Sequence, residues 1–227
     1  MGRGLTRRTL GLLAAALLST AISLPANIAM AQSATAQSTS GSELILLQCI
    51  LAQVGATGVI NAHFVQTRTS PLLTTPAVTQ GSLVFAREHG VIWQVHTPQP
   101  QGYVYGRERN ARLDAEGNVL SLDSQRSPIT QQINEWTSAF MRGDTSGLAS
   151  QFAITTTGTL SHWSVTLMPT QPQIAQAVSR LTLTGDTVIR RVLLETRRGE
   201  SVKWDFDKVR TTDKLDAREQ RIFRAVE

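Results

Sequence analysis

The residue types that most often carry out chemistry are scattered along this sequence. Its four histidines are isolated from one another, and no Cys–His spacing typical of a metal site occurs: His63, His89, His96 and His162. The sequence contains no G-x-S-x-G nucleophile elbow, no H-E-x-x-H pair and no phosphate-binding glycine loop. These absences predict a protein without catalytic residues, metal or cofactor. A hydrolase with dispersed catalytic residues is the least favoured alternative.

A pair of acidic residues near the C-terminus follows the alternation of a β-strand. In the stretch 201–209, Val202, Trp204 and Phe206 fall on one face and Asp205 and Asp207 on the other. A solvated strand face explains these carboxylates better than general acid–base catalysis does. The pair therefore predicts a polar face and not an active site.

One charged residue is predicted to share a strand face with large apolar side chains. Alternation places Arg87 on the same face as Leu83 and Phe85. Two interpretations stay open: a polar group at an apolar wall, or an arginine at a strand end whose head reaches water. The next strand presents an apolar face of its own through Val91, Trp93 and Val95.

The period of the apolar residues places these side chains on a mainly antiparallel sheet. A helix is predicted over 43–54, after which the period changes from helical to two. Turn residues separate short, closely spaced segments, which favours an antiparallel meander of the α+β class. The predicted strands are 62–69, 79–87, 91–97, 101–107, 110–115, 118–123, 151–157, 160–168, 178–184, 187–197 and 201–209, and a last helix is predicted over 213–225.

Another helix is predicted to begin at Pro128. Its apolar residues recur at spacings of four, three and four, and therefore share one face: Ile129, Ile133, Trp136 and Phe140. That face either packs as ordinary core or covers a cavity on the sheet. A twisted sheet with helices on one side allows both.

The first 31 residues have the three parts of a secretory signal peptide. A basic start is followed by an apolar run that is short for a membrane span, and then by Ala29 and Ala31, which predict cleavage after Ala31. We expect an exported periplasmic protein with a signal peptide at 1–31, a flexible linker at 32–42 and one domain at 43–227. An uncleaved anchor stays an alternative, and the choice between general and twin-arginine export stays open.

The charge left after the predicted cleavage argues against a nucleic-acid-binding protein. The chain has 22 Lys and Arg against 17 Asp and Glu, and removal of the three leader arginines leaves 19 against 17. Nucleic-acid binding needs a concentrated basic surface, whereas the basic pairs here are brief. Cys49 is the only cysteine, so no intramolecular disulfide can form, and we expect it to be buried in the first helix.

Several short motifs, taken in order, resemble the LolA-type outer-membrane lipoprotein carriers. They are F-V-Q at 64–66, G-S-L-V-F-A-R at 81–87, a strand that reaches Trp93, and Pro98 soon after it. Further along, G-D at 143–144, Phe152 and the stretch 163–169 resemble a variant branch of these carriers found beside exporters of lipids or pigments. The resemblance covers most of residues 43–223.

The resemblance implies a curved half-barrel sheet whose helical lids enclose a hydrophobic cavity. The cargo would be acyl chains of lipoproteins or lipid-like molecules, taken from an inner-membrane exporter and passed by a monomer to an outer-membrane acceptor. In such carriers the strand arginine, here Arg87, bonds to lid backbone in the empty state. The cavity residues would be Leu83, Phe85, Val91, Trp93, Val95, Ile133, Trp136 and Phe140.

This sequence departs from the family pattern at one position. The better-studied carriers have proline after the strand arginine, whereas here Glu88 follows Arg87 and could pair with it. The departure bears on how cargo is released more than on the fold. A second function fits the same resemblance, namely a periplasmic regulator that senses a lipid-like signal and acts on a membrane partner.

Overall fold

The strands of this chain form a single sheet with helices packed on both faces. The computed structural model describes residues 41–123, 135–136, 139–140, 143 and 146–227, which belong to one compact unit. The described helices are α1 (Gly41–Gly55), α2 (Ser146–Ala149), α3 (Pro172–Ala175) and α4 (Ala217–Arg224), and residues 135–136 and 139–140 are also helical. The strands are β1 (Val59–Thr69), β2 (Ala77–Ala86), β3 (Gly90–Thr97), β4 (Gln101–Gly106), β5 (Asn110–Leu113), β6 (Val119–Asp123), β7 (Phe152–Thr159), β8 (His162–Pro169), β9 (Val178–Gly185), β10 (Ile189–Thr196) and β11 (Ser201–Thr212).

The strand order brings the first and last strands of the chain together in the middle of the sheet. The order is β6-β5-β4-β3-β2-β1-β11-β10-β9-β8-β7, and each neighbouring pair is antiparallel. Consecutive strands pair on either side of the central β1–β11 ladder. The sheet is curved and open, so the predicted α+β class with mainly antiparallel strands is confirmed. Each predicted strand is present, with ends that differ by no more than three residues.

Helix α1 packs on one side of the sheet, which we call the α1 face. Leu47, Ile50, Leu51 and Val54 recur at helical spacing and are buried. They pack on the alternate residues of β7–β10 that point toward α1. We call this tightly packed area the closed region; its buried strand residues are Ile60, Phe85, Phe152, Trp163, Val165, Leu167, Val178, Leu181, Leu183, Ile189, Val192 and Leu194.

Helix α4 covers part of the opposite side of the sheet, over β1–β5. Asp216 caps its first turn: the Asp216 carboxylate accepts from the Glu219 N–H at 2.7 Å, and the Glu219 carboxylate accepts from the Asp216 N–H at 2.8 Å. The helix then buries Ile222 and Phe223 against the sheet. The strand residues beneath it are Val59, Ala86, Ile92, Val104, Ala111 and Leu113.

The outer side of α1 differs from the prediction. Cys49 is exposed on this helix, which corrects the burial that we expected. Leu44 and Ile45 are exposed beside it, so apolar residues occupy both sides of α1 and the sequence does not reveal which side meets the sheet.

Two sequence predictions concern residues that the structure does not describe. The predicted signal peptide and the helix residues Ile129 and Ile133 lie outside the described residues. Within the described residues, no helix combines the length and the hydropathy that crossing a membrane requires.

Candidate functional site

A second apolar cluster lies on the α1 face, on strands β3, β2, β1 and β11. It leaves several large side chains only half-buried, among them Trp93, Trp204 and Phe206, and the last two also pack against the edge of the closed region. We call this cluster the aromatic patch. Its members are Phe64, Leu83, Val91, Trp93, Val95, Trp204 and Phe206.

Phe64 anchors the aromatic patch. The residue is 1% exposed, and its ring lies over Gly81, where an added Cβ would come within 2.6 Å of the ring. Trp93 stacks on Phe64 with ring centroids 4.0 Å apart and planes inclined by 28°. Glycine at position 81 therefore leaves the space that Phe64 occupies, and Phe64 in turn supports the half-buried Trp93.

A polar residue of β1 orients one ring of the patch. Gln66 lies opposite Trp204 in the β1–β11 ladder, and the Gln66 Oε1 accepts a 2.8 Å hydrogen bond from the Trp204 Nε1. Both side chains are part-buried, so the bond offsets the desolvation of the indole N–H. The ring is held in place while its carbon surface remains available for apolar contact.

Four predicted cavity residues belong to the aromatic patch. The register places Leu83 opposite Trp93, so the apolar faces predicted for β2 and β3 are one continuous face. Leu83 and Val95 are buried, whereas Val91 and Trp93 are half-buried. Phe85 points to the same face but is buried in the closed region.

Trp136 and Phe140 pack in the closed region. The Trp136 ring meets Phe152 edge-on at 4.7 Å, and its Nε1 donates to the Gln151 Oε1 at 3.4 Å. The Phe140 ring centroid lies 6.0 Å from that of Trp163. These contacts favour core packing for both residues, and their role in lining a cavity stays a prediction.

Arg87 lies directly after the end of β2, beside α1. Its backbone N–H donates to the Gly58 carbonyl at 3.0 Å, and its half-buried side chain borders a depression that Leu51, Gly55 and Gly143 also line. The last turn of α1 contains no basic residue, and carbonyls at a helix C-terminus attract a neighbouring cation. In the described part of the chain, no hydrogen bond or ion pair engages the Arg87 guanidinium. Arg87 therefore borders the C-terminal end of α1, where the last carbonyls of a helix lack partners within it.

Glu88 does not pair with Arg87. The Glu88 Oε2 lies 3.9 Å from the Arg107 Nη1, and both of these side chains are exposed. Arg107 comes from the turn after β4, which the β3–β4 pairing brings beside the turn after β2. The pair suggested by the sequence is thus corrected.

Phe64, Trp204 and Phe206 belong to the site although the sequence pattern did not select them as lining residues. Alternation alone gives the face of Trp204 and Phe206 within their own strand, but not the strand that lies beside them. The deciding feature is the β1–β11 ladder, in which Phe64 lies opposite Phe206. That ladder joins the two ends of the domain, which a local pattern does not reveal.

One acidic residue of β11, Asp205, is paired on the other side of the strand. Asp205 lies next to Trp204 in sequence and contacts Arg191 and Lys203 on the face opposite the patch. Partial burial raises the pKa of Asp205, but hydrogen bonds from these two cations outweigh it and hold the pKa below its ordinary value. The described residues contain no group of three or more side chains placed to ligate a metal.

Comparison with known families agrees with this architecture. Residues 39–206 match the family described as outer membrane lipoprotein carrier protein LolA-like. The chain belongs to this family. The matched range includes the whole aromatic patch, and members of the family are carrier or binding proteins rather than enzymes. No curated protein matches the chain.

Solved structures that resemble this protein share little sequence with it. A chain of the MucA/MucB complex of Pseudomonas aeruginosa is 15% identical with a TM-score of 0.46, over 75% of this chain and 58% of that one. A LolA superfamily protein of Nitrosomonas europaea is 10% identical with a TM-score of 0.43, over 78% and 97%. Lipoprotein LppX of Mycobacterium tuberculosis is 12% identical with a TM-score of 0.36, over 75% and 97%. This chain spans less than two thirds of the first of these relatives.

Proposed function

We propose that this protein is a periplasmic carrier whose aromatic patch binds the acyl chains of lipoproteins or of similar lipid-like cargo. The observation that carries the proposal is the partial exposure of large apolar side chains beside a fully packed core. Trp93, Trp204 and Phe206 stay half-buried on the same face where Val165 and Leu183 are completely covered. Clustered apolar surface that a fold leaves open marks a binding site for an apolar partner. Membership of the LolA-like family supports the same function.

The energetics of acyl chains in water explain why such a carrier is needed. Each methylene kept from water contributes about 0.8 kcal/mol, so exposing a sixteen-carbon chain costs about 12 kcal/mol. Lipid-bearing cargo therefore does not cross an aqueous periplasm unaided. A site that captured the whole of this energy would not release its cargo, so part of it must be offset by a competing interaction in the empty protein.

We propose that Arg87 supplies this competing interaction. In the empty protein its guanidinium would donate to backbone carbonyls of the covering elements, and Arg87 already borders the depression at the C-terminal end of α1. Opening the site for cargo would break these bonds, which lowers the net affinity and permits transfer. A charge-assisted hydrogen bond contributes about 1.5–3 kcal/mol, enough to change an affinity roughly ten- to a hundredfold.

Export is part of the proposal. The protein would enter the periplasm with its first 31 residues acting as a signal peptide and would take cargo from an inner-membrane exporter toward an outer-membrane acceptor. Intact mass of the protein recovered from the periplasm checks the processing, and the expected N-terminus is Gln32. A periplasmic form that still contains Arg7 would contradict cleavage.

The function is tested by purifying the protein from the periplasm and recording native mass spectra for bound lipid, followed by an acyl-transfer assay between donor and acceptor vesicles. We expect copurified lipid and faster transfer, both reduced in Trp93→Ala. Met168→Ala is the matched control, because Met168 is exposed on β8 outside the patch. Bound lipid without any acceleration of transfer would favour the lipid-sensing regulator. No lipid binding at all would reject both functions.

A further inference from the structure

Two turns meet at the end of the sheet that lies far from Arg87. One is the hairpin turn between β1 and β2, and the other joins β10 to β11. The β2–β3 ladder ends at Gln80, so the β1–β2 hairpin extends beyond β3. At its tip Leu72 is 89% exposed, and Leu73 and Val78 are 43% and 48% exposed. Leu72 has the largest exposure among the large apolar side chains of the described residues.

Hydrogen bonds hold this tip in a defined shape. The Leu73 N–H donates to the Ser70 carbonyl at 3.0 Å, and the Leu72 N–H donates to the Ser70 hydroxyl at 3.3 Å. The same hydroxyl donates to Glu200 in the neighbouring turn, at 3.4 Å. A Cβ added at Gly199 would lie 3.3 Å from Pro71, which shows that the two turns are in close contact. The leucines are therefore presented outward by a supported turn.

The neighbouring turn supplies positive charge. Arg197 and Arg198 are exposed there, and in the described part of the chain neither has an acidic partner. Arg197 donates its Nε–H to the Ala175 carbonyl at 2.6 Å, which orients the side chain without neutralising it. Arg68, closer to the sheet, is already paired with Glu200 at 3.4 Å. The β1–β2 turn thus exposes apolar side chains, and the β10–β11 turn beside it exposes cationic ones.

We infer that these two turns form a docking surface for a lipid bilayer that contains anionic headgroups. Leu72 and Leu73 would enter the boundary between headgroups and acyl chains, while Arg197 and Arg198 would contact lipid phosphates. A protruding apolar tip suits a deformable bilayer, since it offers no groove for a peptide to occupy. The surface lies on the strands that lead into the aromatic patch: Glu200 is four residues from Trp204, and Ser70 is six residues from Phe64.

This inference goes beyond the carrier function and is tested separately from it. The processed protein is mixed with vesicles of phosphatidylcholine alone or of phosphatidylcholine with phosphatidylglycerol, and the bound fraction is measured by co-flotation. We expect binding to the anionic vesicles that weakens as salt is raised. The double variant Leu72→Ser/Leu73→Ser should bind at least about tenfold more weakly, because it removes the apolar insertion. The double variant Arg197→Gln/Arg198→Gln should lose roughly fivefold per charge on anionic vesicles only.

Leu160→Ser provides the matched control for the leucine variant. Leu160 is 42% exposed in the turn between β7 and β8, at the other end of the sheet, and we expect its replacement to leave vesicle binding unchanged. All variants change exposed residues, and unchanged thermal unfolding would confirm that they fold. Vesicle binding that is absent in the parent, or equal in the leucine variant and the parent, would overturn the docking surface. Acyl-probe binding measured on the same proteins should be unaffected by these substitutions, so failure of docking and failure of the carrier function give different results.

Discussion

The closed region and the aromatic patch adjoin on the same face of one sheet and are built from the same kinds of residue, yet their large side chains are covered to different extents. In the closed region Val165 and Leu183 are at most 1% exposed, within the cluster that α1 covers. In the patch Trp93 and Trp204 stay half-buried. Alternation along the strands makes both areas apolar, and the elements that cover them decide which is fully buried and which stays partly exposed.

The largest effect is expected in the closed region. Trp136→Ala removes a ring that packs edge-on against Phe152, and it should lower the free energy of unfolding by about 3–5 kcal/mol. Chemical denaturation measures this loss, and acyl-probe binding by the folded fraction should be unchanged. A loss under about 1 kcal/mol together with weaker probe binding would instead place Trp136 at the cargo site.

The matched substitution in the aromatic patch should separate stability from binding. Trp93→Ala removes a ring that is already partly in water, so we expect a loss of only about 1–2 kcal/mol in the free energy of unfolding. The same change should weaken an acyl probe at least about tenfold, because the stack on Phe64 presents the apolar surface. If Trp93→Ala and Trp136→Ala had equal effects on stability and on binding, the distinction between the two regions would fail.

The next prediction concerns Arg87, which lies after β2 and beside α1. Arg87→Leu should slow dissociation of a fluorescent acyl ligand roughly ten- to a hundredfold, because it destabilises the empty state alone. Arg107→Leu is the control, since Arg107 is an exposed arginine at the same end of the sheet, and its one ion pair among the described residues is with Glu88 at 3.9 Å. Arg87→Lys keeps the positive charge, so it should slow dissociation less than Arg87→Leu does. Equal or faster release from Arg87→Leu would rule out gating and leave the patch itself untouched.

The smallest expected change is a gain in stability within the closed region. Thr156 lies opposite Val165 and is 2% exposed, and its hydroxyl finds no hydrogen-bond partner in the described part of the chain. Thr156→Val keeps the shape and removes the buried polar atom, so it should raise the free energy of unfolding by about 1 kcal/mol. Thr155→Val, on the exposed side of the same strand, should give no such gain. Destabilisation by Thr156→Val would mean that the hydroxyl is satisfied in the folded protein.

The sequence predicts which residues share a face of a strand better than it predicts which strands lie side by side. Period-two alternation predicts the apolar face of Leu83 and that of Trp93 within their own strands, and the β2–β3 register joins the two into one continuous face. The same alternation could not show that Phe64 lies opposite Phe206, since strand pairing over such a separation depends on the whole sheet. The exposure of Cys49 was also missed, because leucine and isoleucine occupy both sides of α1 and leave no polar face to identify the solvent side.

The position of Arg87 shows a second limit of local patterns. Alternation predicted that Arg87 continues the strand of Leu83 and Phe85, whereas β2 ends at Ala86 and Arg87 begins the turn. Its place beside α1 follows from the packing of the helix against the sheet, which no spacing within residues 79–87 contains. The gating residue could therefore be proposed from the resemblance to carriers, but its surroundings could be described only from the structure.

The central claim is that acyl cargo contacts the aromatic patch, and photocrosslinking tests it most directly. The protein is loaded with a fatty acid that carries a photoreactive group along its chain, irradiated, and digested for peptide mapping by mass spectrometry. We expect adducts on peptides that contain β3 and β11, at Trp93, Trp204 or Phe206, and we expect an excess of unlabelled fatty acid to suppress them. Adducts confined to the exposed apolar side of α1, at Leu44 and Ile45, or labelling that unlabelled fatty acid does not suppress, would contradict the account.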